Sequence, residues 1–510
     1  MIVGLLPLLH LLWGPLSLAW GQRARWIAVI ALIADAVLLG LLASRILPGS
    51  EVRLALGGWG PGLGIAVVAD ETALWFAILL VFLEAGVLSY LRRTAIAPVF
   101  FMLLHLLFGA ALALLFSRDL FNIYVILELL TFVSYLLVGY ERRSGQIWAG
   151  LKYLILAAVG MNLYLLGVAV VYYHTGTLDL TLLAGRLPAQ APWIPLAAAL
   201  LVGGVSVKAG VFLFSLWLPR AHASAPPAVS ALLSGLVIKM GVVVLLRLAP
   251  LFPIRTVLLV LAGVTGIAGI LYAYVALDLK RMLAFHTLSQ IGYLLFGIGL
   301  GSHAGLLGAT EYAISHGLFK ALLFLAAGTA VSATGRGDVP GLIRERTRIP
   351  RSTRLALLVG TLGIVGLPPL AGFCGKATLC ADLPSPFLLV LPLLFTLGTA
   401  LSFSKLLPLM SLSPGPPAPP GHALAYTALA LPILLFLPAV RPLLSTADWR
   451  IALHPLPYAE TVAAILLGII AYRVFPKRRL VLPTRIFRLE EAILTLLAGV
   501  LLVLGLCLVS

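Results

Sequence analysis

The chain is short of charge. Only 10% of its 510 residues are Asp, Glu, Lys or Arg, whereas 61% are hydrophobic, and the mean hydropathy is +1.10. That balance excludes a soluble globular domain of ordinary composition. It is also short of cysteine. Cys374, Cys380 and Cys507 offer no metal-ligand spacing and no disulfide framework. Three scattered thiols do not hold an iron–sulfur cluster, and no flavin or haem motif accompanies them, so the reading is of no metal, no cofactor and no redox centre of its own. Cys374 and Cys380, six apart, fall on different faces of a helix, and all three read as packing residues. No basic region precedes the first apolar run, Ile2–Trp20, which excludes a cleavable signal and leaves a membrane span.

What is present is apolar sequence from end to end, the pattern of one all-α polytopic membrane domain. Sixteen spans of roughly 20 residues fit, at about 2–20, 26–47, 65–91, 96–117, 119–140, 147–173, 193–218, 226–249, 256–277, 282–301, 304–333, 353–380, 386–410, 422–440, 458–475 and 487–509. The net charge of +17 sits in the short loops between them. Loops after odd-numbered spans hold about 20 basic residues and loops after even-numbered spans about 8. The positive-inside rule explains this without a nucleic-acid partner. It places both termini and the loops 48–64 and 441–457 away from the cytoplasm and 334–354 within it. The proline-rich Ser411–Gly421 reads as a surface loop. Thr334–Arg354 is the most basic loop; its charge sets topology or, alternatively, docks a partner or anionic lipid headgroups.

The chain is organised around Gly203–Arg247. Two apolar segments there each carry one lysine, Lys208 and Lys239, on either side of a break made by Pro219, Pro226 and Pro227, with Arg220 and His222 inside it. A charge at membrane depth is expensive and is kept where it faces protein or water and has a task. The bland alternative is snorkelling to the interface. Other ionisable residues in apolar segments are Asp35, Glu84, His105, Glu128, Lys152, His286, Glu311, His316, Lys320, Lys376 and Lys405. Protonatable groups spaced along a membrane interior are what a proton relay requires. Asp35, Glu84 and His105 read as satisfied packing residues, and Lys152 and Lys405, near span ends, as snorkelling ones. His316 and Lys320 share one helical face. Leu367–Lys376 (LPPLAGFCGK) forms a second double-proline break beside a lysine. Two broken helices in corresponding halves point to an inverted-repeat transporter, with ordinary proline kinks as the alternative.

Five stretches carry a family resemblance: RDLFNIYVILELLTFVSYLLVGYERR (118–143), KAGVFLFSLWLPRAHASAPPAVSALLSGLVIKMG (208–241), DLKRMLAFHTLSQIGYLLFGIG (278–299), ISHGLFKALLFLAAG (314–328) and GLPPLAGFCGK (366–376). They occur in family order, and over roughly 65–410 the chain resembles the antiporter-like subunits shared by respiratory complex I, Mrp-type sodium/proton antiporters and membrane-bound hydrogenases. The wording looks most like the D-type member of Mrp antiporters. The resemblance implies about 14 core transmembrane helices with two inverted five-helix repeats and broken helices, plus about two extra C-terminal helices. It divides the chain into N-terminal helices (1–95), a first inverted repeat (96–249), a second (256–410) and C-terminal helices (411–510). It also implies a proton path through Glu128, Lys208, Lys239, His286, His316, Lys320 and Lys376, in which Glu128 pairs with Lys208. Leu213, Ser215, Arg220 and Ala223–Ser224 depart from the family's usual proline, histidine, aspartate and Pro-Glu at those places.

The function expected is a proton-translocating, antiporter-like subunit of a multisubunit complex in a prokaryotic inner membrane, moving protons alone or in exchange for sodium. Its partners would be other integral membrane subunits and the lipid bilayer. The alternatives are a subunit that shapes a quinone site in a membrane NADH dehydrogenase or hydrogenase, and a scaffold with vestigial charges.

Overall fold

The computed structural model describes residues 2–46, 50–60, 64–188, 190–411, 414–436, 455–474, 482–483 and 487–509. The stretch 441–454 of the expected 441–457 loop and the basic residues Lys477–Arg479 and Arg485 lie outside them.

Thirteen described helices are long and apolar enough to cross a membrane. Beginning at the N-terminus, α1 (Ile2–Ala19) and α2 (Ala24–Ile46) lead to a hairpin of β1 (Val52–Ala55) and β2 (Ala66–Ala69). The strands are antiparallel, with Val52 opposite Ala69 and Ala55 opposite Ala66. β1 falls in the expected loop 48–64, but β2 occupies the start of the expected span 65–91, whose helix begins only at Glu71; Arg118 N–H donates to the Ala66 carbonyl at 3.2 Å and ties β2 to the bundle. The chain continues through α3 (Glu71–Tyr90), α4 (Pro98–Phe116), α5 (Leu120–Val138), α6 (Ser144–Thr175), the short α7 (Leu180–Arg186) and α8 (Ile194–Ala209). Beyond a break come α9 (Leu218–Ser224), α10 (Pro227–Leu232), a π turn over Leu233–Val237 and α11 (Ile238–Leu248). The second half has α12 (Arg255–Val275), α13 (Leu279–Leu300), α14 (His303–Thr334), the short α15 (Val339–Arg344), α16 (Arg351–Val365), a second break, α17 (Ala371–Leu379) and α18 (Val390–Phe403). Last are α19 (His422–Leu434), α20 (Pro455–Val474) and α21 (Leu489–Val509).

All sixteen expected spans contain helix. Three are shorter than a full crossing or interrupted: α8, the α16–α17 pair, and α19. Aspartates start many of the helices for a local reason. Asp70, Asp119, Asp179, Asp278 and Asp338 each accept backbone N–H bonds from the first turn that follows, which otherwise has no acceptor.

One arrangement occurs twice. Asp119 and Asp179 form an isolated antiparallel bridge, and so do Asp278 and Asp338, with sixty residues between the members of each pair. Between each pair stands a 32-residue helix, α6 or α14, closed by a left-handed glycine, Gly176 (φ +67°) or Gly335 (φ +68°). After each pair comes a broken helix. The centre of the molecule is α13 and α14, whose most apolar windows are 94% buried, against 28% for α1 and 17% for α20. The peripheral helices turn large apolar side chains such as Leu8, Leu12, Trp26, Ile33 and Leu501 outward, as lipid- or partner-facing helices do.

Candidate functional site: a line of buried bases between two broken helices

The first break starts one residue after α8. Gly210 takes φ +82°, and its N–H closes on the Ser206 carbonyl. The remaining carbonyls at a helix end need donors, and Ser215 and Trp217 supply them. Ser215 Oγ donates to Ser206 O (3.0 Å) and Val207 O (2.8 Å), and Trp217 Nε1 donates to Val207 O at 3.0 Å. Ser215 therefore keeps this break well formed. Lys208 lies in the last turn of α8, where the helix dipole favours a cation. Its Nζ donates to Thr131 Oγ1 on α5, with the Tyr153 ring 5.6 Å away. Glu128 is one turn before Thr131 on the same helix, half-buried, with Oε1 lacking a hydrogen-bond partner. Lys208 sits in the field of Glu128, but no ion pair within 4.0 Å joins them among the described residues. Lys208 is held instead by Thr131, whose own hydroxyl donates to the Leu127 carbonyl at 2.7 Å.

The second break mirrors the first with the order reversed. Gly366 (φ +87°) ends α16, a cis Pro368–Pro369 bond follows, and α17 carries Lys376 back over the break. Lys376 Nζ donates to Ile364 O (3.2 Å) and Val365 O (3.0 Å), the free carbonyls of α16. It lies 4.5 Å from the Tyr293 ring centre and 5.6 Å from that of Tyr312. A Cβ on Gly366 would come within 3.0 Å of this ammonium, so glycine is needed for space as well as for φ.

Between the breaks lie the other bases, all fully buried. Lys239 Nζ donates to the Ser234 carbonyl inside the π turn, and Ser234 Oγ meets Thr287 Oγ1 of α13 at 2.9 Å. Such a widened turn is common at functional positions because it exposes a carbonyl. Lys320 Nζ donates to Leu283 O. His286 Nε2 pairs with Ser402 Oγ, while its Nδ1 has no partner. Neither ring nitrogen of His316 or His222 has one. Glycines let the carriers close up: a Cβ on Gly317, beside His316, would lie 2.9 Å from the Gly235 carbonyl, and one on Gly241 would lie 2.5 Å from Ala209 N. His222 is within electrostatic reach of Lys239, Lys280 and Lys320; His316 of Lys239, Lys320, Lys376 and His222; and His286 of Lys320, Lys376 and Lys405. A cavity of about 610 Å³ opens beside Lys376, lined also by Tyr293, Asp382 and Glu460 of α20. Another, of about 310 Å³, includes Asp70, Arg247, His303 and Glu311.

Residues 117–402 match the family described as NADH:quinone oxidoreductase/Mrp antiporter, TM. The chain belongs to this family. It is 32% identical over 346 residues to the D-type component of the Na(+)/H(+) antiporter of Alkalihalophilus pseudofirmus, covering 64% of this chain and 68% of that protein. It is 31% identical over 365 residues to the N-type component of the NADH-quinone oxidoreductase of Desulforudis audaxviator, covering 68% and 72%. Among solved structures, a chain of the archaeal membrane-bound sulfane sulfur reductase superposes with a TM-score of 0.80 at 23% identity, covering 92% of this chain and 99% of that one, which establishes a shared fold. It is an antiporter-like membrane subunit.

Three readings of single residues need correction. Lys152 does not snorkel: it is 1% exposed and donates to the Phe487 carbonyl. Lys405 is half-buried and serves as a helix cap, bonding Ala273 O (2.8 Å), Tyr274 O (2.9 Å) and Ala276 O (3.0 Å), the free carbonyls ending α12. Asp35, Glu84 and His105 are not separate satisfied packing residues. They converge with His10, and both Glu84 oxygens lack a partner. Sequence reasoning placed His222 inside the first break but left it out of the proton path. Its position inside an apolar double-proline break was the available signal.

Proposed function

We propose that this chain carries protons through the middle of the membrane for a multisubunit complex, alone or in exchange for sodium. The path runs from Glu128 and Lys208 to Lys239, then across His316, His286 and Lys320 to Lys376. It reaches water through the cavity shared with Asp382 and Glu460. The observation that carries this reading is the run of buried bases between the two breaks: His316 lies within electrostatic reach of Lys239, Lys320 and Lys376, and His286 within that of Lys320 and Lys376, while the backbone at Lys208 and Ala209 packs on Gly241, two residues after Lys239. Isolated charges in a bilayer are costly, and a succession of them between two broken helices has the form of a relay. The naming of related proteins as antiporter and quinone oxidoreductase components supports the same reading.

On this reading the two aspartate-bridged units are the cores of two inverted five-helix repeats, at 96–249 and 256–410. Residues 1–95 and 411–510 flank them and meet the neighbouring integral membrane subunits. Loop charge puts both termini on the non-cytoplasmic side of a prokaryotic inner membrane. The cavity beside Lys376 favours a second reading, in which the chain shapes a quinone site for a redox partner.

One assay separates them. Proton pumping is followed in sealed vesicles containing the parent complex, with complex content measured alongside. Lys208→Ala, at a residue that does not line the cavity, abolishes pumping in a relay and leaves it intact in a quinone-site subunit. Normal assembly with undiminished pumping in this variant overturns the proposal.

A further inference from the structure

A second polar cluster lies apart from the central line, among the four N-terminal helices. His10 of α1, Asp35 of α2, Glu84 of α3 and His105 of α4 are each at most 1% exposed. His10 Nε2 is 2.7 Å from Asp35 Oδ2, and His10 Nδ1 is 3.2 Å from His105 Nδ1. One ligand atom each from His10, Asp35 and Glu84 lies within 4.8 Å of the other two. Gly109 makes the cluster possible, since a Cβ there would stand 2.8 Å from the Cβ of His10. On the other face of α3, Leu79 and Leu83 pack on Gly317 and Gly235, so apolar side chains separate the cluster from the proposed path.

Counting protons shows what is missing. Two neutral imidazoles bring two N–H groups. If His105 donates to His10, then His10 donates to Asp35, and Glu84 receives nothing. If His10 donates to His105, then His10 Nε2 and Asp35 face each other as two acceptors, and Glu84 again receives nothing. Both Glu84 oxygens are buried without a donor under either tautomer. Two ionised carboxylates without a cation would be costly in an apolar interior, so either protons or a cation must balance them. One divalent ion balances both. The imidazole in the donor set argues against sodium, magnesium and calcium, which take oxygen ligands. One nitrogen and two carboxylates suit zinc, and His10 then donates its other ring N–H to His105, as metal-bound histidines do to a neighbouring acceptor.

We propose that His10, Asp35 and Glu84 bind a divalent transition-metal ion, best matched by zinc, with His105 positioning the His10 ring. The ion ties α1 and α2, which expose most of their surface, to α3 of the core.

The test uses the full-length chain, untagged and purified with the subunits that accompany it, and washed over a chelating resin. Elemental analysis is expected to find about one zinc per chain. If the wash strips the ion, one equivalent of zinc chloride restores that occupancy. X-ray absorption is expected to show an N/O shell at about 2.0–2.1 Å including imidazole. Glu84→Gln, nearly isosteric, loses at least about nine-tenths of the metal, because one of the three ligands is gone. Glu71→Gln, at the exposed start of the same helix, keeps it. Three results overturn the proposal: wild-type protein that takes up no metal even after zinc addition, metal retained undiminished in Glu84→Gln, or a metal-free wild type with an infrared carboxylic-acid band that Glu84→Gln removes. The last would show that protons balance the charge instead.

Discussion

The two broken helices use the same parts in opposite order. In the first, the lysine precedes the break and Ser215 and Trp217 satisfy the orphaned carbonyls, so Lys208 is free to reach across to Thr131 on another helix. In the second, the lysine follows the break and itself satisfies the carbonyls of Ile364 and Val365. Lys208 is therefore separable from the architecture around it, whereas Lys376 is both a base beside a cavity and a structural cap. A lysine that gives up one proton keeps two N–H donors, enough for the two carbonyls that Lys376 serves, so its capping role does not bar it from carrying a proton. On the proposed relay, the difference puts a lysine free of capping duty at the first break and a capping lysine beside the cavity at the second.

The largest effect expected is at Lys376. Lys376→Ala removes a relay base and leaves two buried carbonyls without donors, at about 1–3 kcal/mol each. Both pumping and the amount of intact complex should fall. Lys208→Ala should abolish pumping while complex content stays near the parent level. Pumping per assembled complex, set beside thermal denaturation of the purified complex, tells the two apart. Equal loss of stability at both positions breaks the comparison.

Arginine sharpens it. Lys208→Arg and Lys376→Arg keep a cation and its hydrogen-bond donors, but a guanidinium with a pKa above about 12 holds its proton too firmly to relay it. Both variants are expected to assemble, and both to lose at least about nine-tenths of pumping. A pumping Lys208→Arg complex would remove the proton-carrier role from that lysine and leave it a fixed charge.

Much of this arrangement was legible in the sequence because its signals are local. The second break announces itself in Pro368–Pro369, the spans in apolar runs, and the paired His316 and Lys320 in a four-residue spacing, whereas the first break lies at 210–217, inside the expected span 193–218 and ahead of the prolines that marked it in the sequence. What was not legible depends on contacts between distant segments. Lys152 near the start of its helix looks like a snorkelling residue until Phe487, over 300 positions later, supplies its acceptor. His10, Asp35, Glu84 and His105 look like four isolated oddities because their spacing crosses four helices, and no periodicity links them. The π turn at Leu233–Val237 has no sequence signature of its own; it contains Gly235, which allows the close approach to Gly317.

A smaller effect tests the cap of the first break. Ser215→Ala deletes a hydroxyl that serves two carbonyls, of which Val207 keeps Trp217 while Ser206 retains the Gly210 N–H. The expected cost is about 1–2 kcal/mol of stability, read as a lowered melting temperature of the complex. Pumping per complex should fall less than about twofold, since Lys208 keeps its place. A collapse of pumping here would mean that the shape of the break, and not the lysine alone, gates the path.

The smallest effect on transport is expected at Lys405, which separates cap from carrier. It resembles Lys376 in donating to the ends of a neighbouring helix, at 2.8, 2.9 and 3.0 Å from three carbonyls of α12. It differs in having no place in the succession from Lys208 to Lys376, although His286 lies within its field. Lys405→Ala should therefore destabilise the complex by about 1–3 kcal/mol and leave pumping per assembled complex within about twofold of the parent, because a cap acts on folding and not on proton transfer. Lys405→Arg, which retains donors for the same carbonyls, should restore the stability. The pair of variants makes the distinction quantitative: arginine rescues a cap and fails a carrier. If Lys405→Arg restores stability yet pumping stays low, Lys405 carries protons as well, and the path extends past His286 to the end of α12.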